Sequence, residues 1–139
     1  MRRKFLFSLI SVLLLVTLSL SGCTTPPLDP AFTEDKVLSS AQEMIALLNE
    51  RDYDSAAELF SDRLAAAIPR DTLSVTFDPI LDNLGAFETV KDSIAYGATD
   101  EASGDAYAVA IVVCKYANGS AQYTLSFDKA YQLIGIYIK

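Results

Sequence analysis

The sequence has no histidine and no tryptophan, and only two cysteines, Cys23 and Cys114, in 139 residues. Without an imidazole, Ser-His-Asp and Cys-His catalysis and every His-ligated metal site are excluded. Basic residues are also scarce, with 11 Lys plus Arg against 18 Asp plus Glu. Three of those cations, Arg2, Arg3 and Lys4, fall in the first 22 residues, which contain no acid. Setting that segment aside leaves eight basic side chains against eighteen acids, a net charge near −10. A basic groove for nucleic acid is therefore not expected. What is plentiful is apolar sequence, 51% of a chain of one domain's length.

The first 22 residues have the layout of a secretory signal: three cations, an apolar run over residues 5–20, then the small residues Ser21 and Gly22. A spanning helix needs about 20 apolar residues, so the run is short for a permanent anchor. Leu20-Ser21-Gly22-Cys23 resembles the lipobox of bacterial lipoproteins. That resemblance implies cleavage before Cys23 and attachment of lipid to its thiol. Two acyl chains, at about 0.8 kcal/mol per buried methylene, hold a protein stably where one does not. An acidic body repelled by anionic lipid needs such an anchor. Thr24 follows the lipid-bearing residue, so an aspartate that would retain the protein at an inner membrane is absent there. Residues 23–31, with Pro26, Pro27 and Pro30, read as a Pro-rich, semi-extended tether that would lift the domain about 20 Å from the bilayer.

The exported domain, residues 32–139, begins with helical periodicity. Val37, Leu38, Ala41, Met44, Ile45 and Leu48 share one face, Thr33 stands as N-cap, and Glu34 and Asp35 suit the first turn. Tyr53, Ala56, Ala57, Leu59, Phe60, Leu64, Ala65 and Ile68 fit a second helix, or two short ones hinged near Ser61. A third helical segment spans about 71–84 and stops at Gly85, with Pro79 predicting either a kink or a restart with Asp78 as N-cap. Beyond Gly85 the period becomes two. Strands are expected over 87–96, 106–116, 120–127 and 132–138. The second is apolar on both faces, as for a central strand covered on both sides, and Asn118-Gly119 signals a type I′ hairpin turn. The fold expected is α+β, about three N-terminal helical segments packed on a four-stranded antiparallel sheet.

The run Ile45-Ala46-Leu47-Leu48-Asn49-Glu50-Arg51-Asp52-Tyr53, the apolar helix to Leu84-Gly85-Ala86-Phe87, Tyr123-Thr124-Leu125-Ser126-Phe127-Asp128 and Ile134-Gly135 together resemble domain of unknown function family 3887 (DUF3887), which is similar to the NTF2-like superfamily. The resemblance covers residues 31–139. It implies an NTF2-like cone in a small extracytoplasmic domain, lipid-anchored or joined to a larger partner, and it brings no catalytic residues.

Residues with chemical potential have quieter roles. Cys114, inside Ile111-Val112-Val113-Cys114, reads as a buried small hydrophobe with no base to activate it. Asp52, Asp54 and Glu58 bracket a helix start. Asp100, Glu101 and Asp105 lie in a strand connection, and their spacing does not match an EF-hand loop. Asn118-Gly119-Ser120 is a glycosylation sequon, but the turn reading takes precedence in a lipobox-bearing chain. Tyr53, Phe60, Phe77, Phe87, Tyr96, Tyr107, Tyr123 and Tyr137 are the aromatics able to line a cavity or to fill the core.

The function expected is a lipid-anchored lipoprotein on the extracytoplasmic face of the cell membrane, without catalytic residues, metal or cofactor. It would bind a small ligand, an envelope protein, or a second copy of itself through the sheet, and no nucleic acid. The alternative is a small isomerase, dehydratase or hydrolase, which would show a core-facing carboxylate within reach of a tyrosine hydroxyl in a cavity.

Overall fold

The computed structural model describes residues 24–139; residues 1–22, read as a signal segment, and Cys23 lie outside the described residues. Helix α1 (Glu34–Glu50) buries Val37, Ala41, Met44, Ile45 and Leu48 along one stripe. Thr33 occupies the N-cap in an extended conformation, but its side chain makes no cap bond. Its amide donates instead to the hydroxyl of Tyr131, 3.0 Å away. Helices α2 (Tyr53–Glu58) and α3 (Asp62–Ala67) are the two short alternatives, separated at Phe60 and Ser61. Each has its own cap: the Ser55 amide donates to Asp52 Oδ1 at 3.1 Å, and the Leu64 amide to Ser61 Oγ at 3.3 Å.

A 3₁₀ turn (Arg70–Thr72) leads into α4 (Leu73–Leu84), which neither restarts nor breaks at Pro79. The proline removes the bond that the Val75 carbonyl would accept, and Val75 is on the solvent side, 78% exposed, where a helix tolerates the loss best. Gly85 ends the helix at φ 77°, ψ −156°, a conformation only glycine adopts readily.

The sheet is an antiparallel meander in the order β1-β2-β3-β4, built from Phe87–Thr99, Ala106–Tyr116, Gly119–Phe127 and Leu133–Ile138. The architecture is α+β, with four helices packed against one face. That face presents Ala108, Ala110, Val112, Cys114 and Tyr116 of β2 and Ala121, Tyr123, Leu125 and Phe127 of β3, all buried. They close a single core with the stripe of α1, Phe77 and Leu81 of α4, and Phe60.

Two strand expectations are corrected. The second face of β2 is not covered by a layer of helix among the described residues. Ile111 and Val113 are half-buried there, and Val109 is sheltered between its register neighbours Tyr96 and Ser126. The β2–β3 hairpin turns one residue earlier than Asn118-Gly119 signals. Its loop is Ala117 and Asn118, Gly119 pairs with Tyr116, and neither Asn118 nor Gly119 has positive φ, so the turn is not type I′. Tertiary bonds fix it instead: the Ala117 amide donates to Ala86 O (2.8 Å) and the Asn118 amide to Leu84 O (2.9 Å).

Part of the stretch read as tether lies against the domain. The Gly97 amide of β1 donates to Pro26 O at 3.0 Å, Leu28 packs on the core, and Phe32 is buried edge-on against Tyr131 with ring centroids 5.6 Å apart. A Cβ at position 97 would stand 2.1 Å from Pro27 O, so glycine is what lets the two backbones touch.

Candidate functional site

The core contains one polar thread. Tyr116 and Tyr123, 1% and 0% exposed, bring their hydroxyls into contact, and Tyr116 donates onward to Asn49 Oδ1 on α1 at 3.0 Å. A phenol has one proton to give, so Tyr123 donates to Tyr116, and Tyr116 to Asn49. Burial, then the bond to Tyr116, holds the Tyr123 phenol well above its ordinary pKa. Burial likewise raises Tyr116, against the opposing bonds from Tyr123 and Asn49. The neighbouring Cys114 is fully buried and its thiol is pushed up to about 11 by desolvation, which removes the thiolate it would need to react.

A second cluster lies where α1 ends. Arg51 adopts left-handed φ 60°, which aims its guanidinium across to α4. There Nη1 meets Asp78 Oδ1 at 2.5 Å and Nη2 meets Asp82 Oδ1 at 2.8 Å. Tyr53 donates its hydroxyl to the same Asp78 oxygen. The Tyr53 bond and then Arg51 hold the Asp78 carboxyl below its usual range, while burial and Asp78 raise the Tyr53 phenol. This is a carboxylate beside a tyrosine, the pairing an enzyme reading requires. It is half-exposed and already satisfied by a cation, which makes it a weak base near neutral pH.

Between the two clusters the surface opens. One groove of about 430 Å³ runs between α1 and β1, lined by Gln42, Ile45, Ala46, Asn49, Glu50, Phe87 and Val90. A second, of about 370 Å³, continues past Asn49 and Phe87 to Arg51, Asp82 and Gly85. Phe87 and Val90 remain 42% and 36% exposed beside it. Asn49 therefore joins the buried tyrosines to this crevice. A larger cleft of about 560 Å³ lies at the opposite end of the sheet, among Arg63, Tyr107, Ser126, Gly135 and the acids Asp100, Asp105 and Asp128.

The residues singled out from sequence are scattered. Cys23 lies outside the described residues. Asp52 caps α2, and Asp54 meets Arg70 at 3.3 Å. Asp100 accepts the amides of Ala102 and Ser103, which hold its carboxyl low. No group of three Cys, Asp or Glu side chains able to hold a metal occurs among the described residues. Of the aromatics, Phe60, Phe77 and Tyr123 are buried in the core, Tyr53, Tyr96 and Tyr107 are half-buried, and Phe87 and Tyr137 face solvent. Arg51, Asp78, Asp82, Asn49 and Tyr116 went unnoticed as a set. Asp78 and Asp82, four apart on one helix, were the readable signal, being like charges on one face that need a cation from elsewhere.

A family described as "Protein of unknown function (DUF3887)" matches residues 41–136. The chain belongs to the DUF3887 family. This DUF3887 chain is also similar to a solved structure described as an NMR structure of a protein from Ruminococcus gnavus ATCC 29149. The TM-score is 0.69 at 23% identity, covering 81% of this chain and 96% of that one, a likeness of fold alone. No curated protein sequence matches.

Proposed function

We propose that this DUF3887 chain is a lipoprotein anchored through Cys23 on the extracytoplasmic face of the cell membrane, and that its folded part is a non-catalytic binding module of NTF2-like shape. The observation that carries the binding half is the crevice around Asn49, where Phe87 and Val90 stay exposed beside polar Gln42, Asn49 and Arg51. An apolar floor with a few convergent polar groups suits a small ligand or the side chains of an envelope protein. The open sheet face, with Ile94 43% and Tyr137 62% exposed, is the surface a second copy would use. The lipobox supports the anchoring half.

An enzyme reading finds less support. Every carboxylate among the described residues has solvent exposure, and Asp78, which accepts the hydroxyl of Tyr53, is ion-paired. The test is direct. Metabolic labelling with a fatty-acid analogue is expected to mark the full chain and to fail after Cys23→Ala. Phe87→Ser is expected to abolish capture of the ligand or partner retained by the wild-type protein from envelope extracts. Equal capture by Phe87→Ser would reject the crevice as the binding site.

A further inference from the structure

Residues 26–33 form a strap fastened against the domain. Pro26 is bonded to Gly97, close to the end of β1, and residues 27–28 cross the backbone there with no room for a side chain. Phe32 and Thr33 are then fastened to Tyr131 in the β3–β4 turn. Both attachments belong to one end of the sheet, the end that also carries the β1–β2 turn at residues 100–105. The hairpin at Ala117 and the crevice around Asn49 and Phe87 lie at the other end.

Only Thr24 and Thr25 separate Cys23 from the bonded Pro26. Three peptide steps span at most about 10 Å. The two longest strands, of 13 and 11 residues, run about 44 and 37 Å at 3.4 Å per residue, so the leash is short against the body it holds. A net charge near −10 leaves that body repelled by anionic lipid, which disfavours lying flat on the surface.

We infer that the strap sets which surface meets the membrane: the end bearing the turns at 100–105 and 128–132 faces the lipid, and the crevice end projects away from it. The partner of the first surface is an anionic bilayer, held close by the leash rather than by attraction. This inference rests on the lipid-anchor reading and goes beyond it by assigning an orientation.

The test uses the full chain isolated from expressing cells and reconstituted in vesicles of phosphatidylethanolamine and phosphatidylglycerol. One fluorophore is placed at Ala102→Cys and, in a separate protein, at Ala117→Cys. Both positions are exposed, and Cys114 is fully buried and does not take the label. A nitroxide quencher is carried on the lipid headgroups. The label at position 102 is expected to lose most of its emission and the label at 117 to keep nearly all of it. Inserting ten Gly and Ser residues between Thr25 and Pro26 leaves the strap intact and adds about 18 Å of leash. The quenching at 102 is then expected to fall.

Equal quenching at the two positions, stronger quenching at 117, or quenching at 102 unchanged by the longer leash would each overturn the orientation while leaving the anchor standing. Failure of the anchor shows earlier and separately: a chain that takes no fatty-acid label, or that still takes it after Cys23→Ala, defeats both readings before any fluorescence is measured.

Discussion

Two groups of tyrosine and polar side chains flank α1's C-terminal end, and they differ mainly in how much water reaches them. Tyr116, Tyr123 and Asn49 form a relay sealed in the core; Tyr53, Asp78, Arg51 and Asp82 form a net on the surface. The buried group has no formal charge and satisfies itself, since no buried side-chain nitrogen or oxygen among the described residues lacks a partner. The surface group is charged and joins its members by three side-chain bonds. The bond count favours the surface net, but the energetics favour the relay. A satisfied neutral relay adds little, yet breaking it strands polar atoms where water cannot follow, whereas an exposed ion pair is replaced by water at almost no cost.

The largest effect expected is therefore from a single oxygen. Tyr116→Phe removes both the acceptor of the Tyr123 proton and the donor to Asn49, and should destabilise by about 2 kcal/mol in urea unfolding. Tyr123→Phe should cost clearly less, because Tyr116 keeps its bond to Asn49. Combining the two should recover part of the Tyr116→Phe loss, since the second substitution deletes a stranded group. Equal losses for the two single variants would break the directional relay and the contrast built on it.

Next in size is pH. Tyr123 and Cys114 have folded pKa values raised by burial, so both protons are held more tightly in the native state than in the unfolded chain. Their contribution is complete below the unfolded values and is lost as pH rises. For Cys114 the window runs from 9.0 to about 11. The melting temperature should fall steadily across that range, and Cys114→Ala should flatten the early part of the fall. Asp78 gives the mirror image: its pKa is depressed, so its contribution is present above the unfolded value of 3.8 and is lost as pH drops through the lower, folded one. A half-exposed carboxylate should make the acid loss much the smaller of the two.

The relay also marks how far the sequence could be read. The change from helical to alternating period at Gly85, the stripe of α1 and the paired short helices are local patterns, and local patterns are visible in one dimension. Tyr123 stood out as a core aromatic from its alternation, but the relay it feeds through Tyr116 ends at Asn49, on a helix 67 residues before Tyr116, and nothing in either neighbourhood announces the pairing. The strap was hidden for the same reason. Pro26 and Pro27 read as spacer because prolines lack strand periodicity, while the reason they dock is a missing side chain at Gly97. The hairpin shows the reverse error, a strong local signal overridden: bonds to Ala86 and Leu84 set the loop at Ala117 and Asn118. The crevice was only half legible, since Phe87 was marked as an aromatic able to line a cavity while nothing singled out Arg51.

Arg51 supplies the smallest effect, and the one that separates backbone from side chain within the surface net. At φ 60° it occupies a conformation that costs a non-glycine residue about 1 kcal/mol. Its ion pairs, at 35% side-chain exposure, return no more than a similar amount. Arg51→Ala keeps the strain and loses the pairs, so it should be mildly destabilised. Arg51→Gly loses the pairs but also releases the strain, and should match the wild type within about 0.5 kcal/mol in the same urea assay. If glycine proves no better than alanine, the left-handed turn is not what Arg51 contributes. The guanidinium net would then hold α1 to α4 more strongly than an exposed ion pair should, and the surface group would have to be counted with the relay rather than against it.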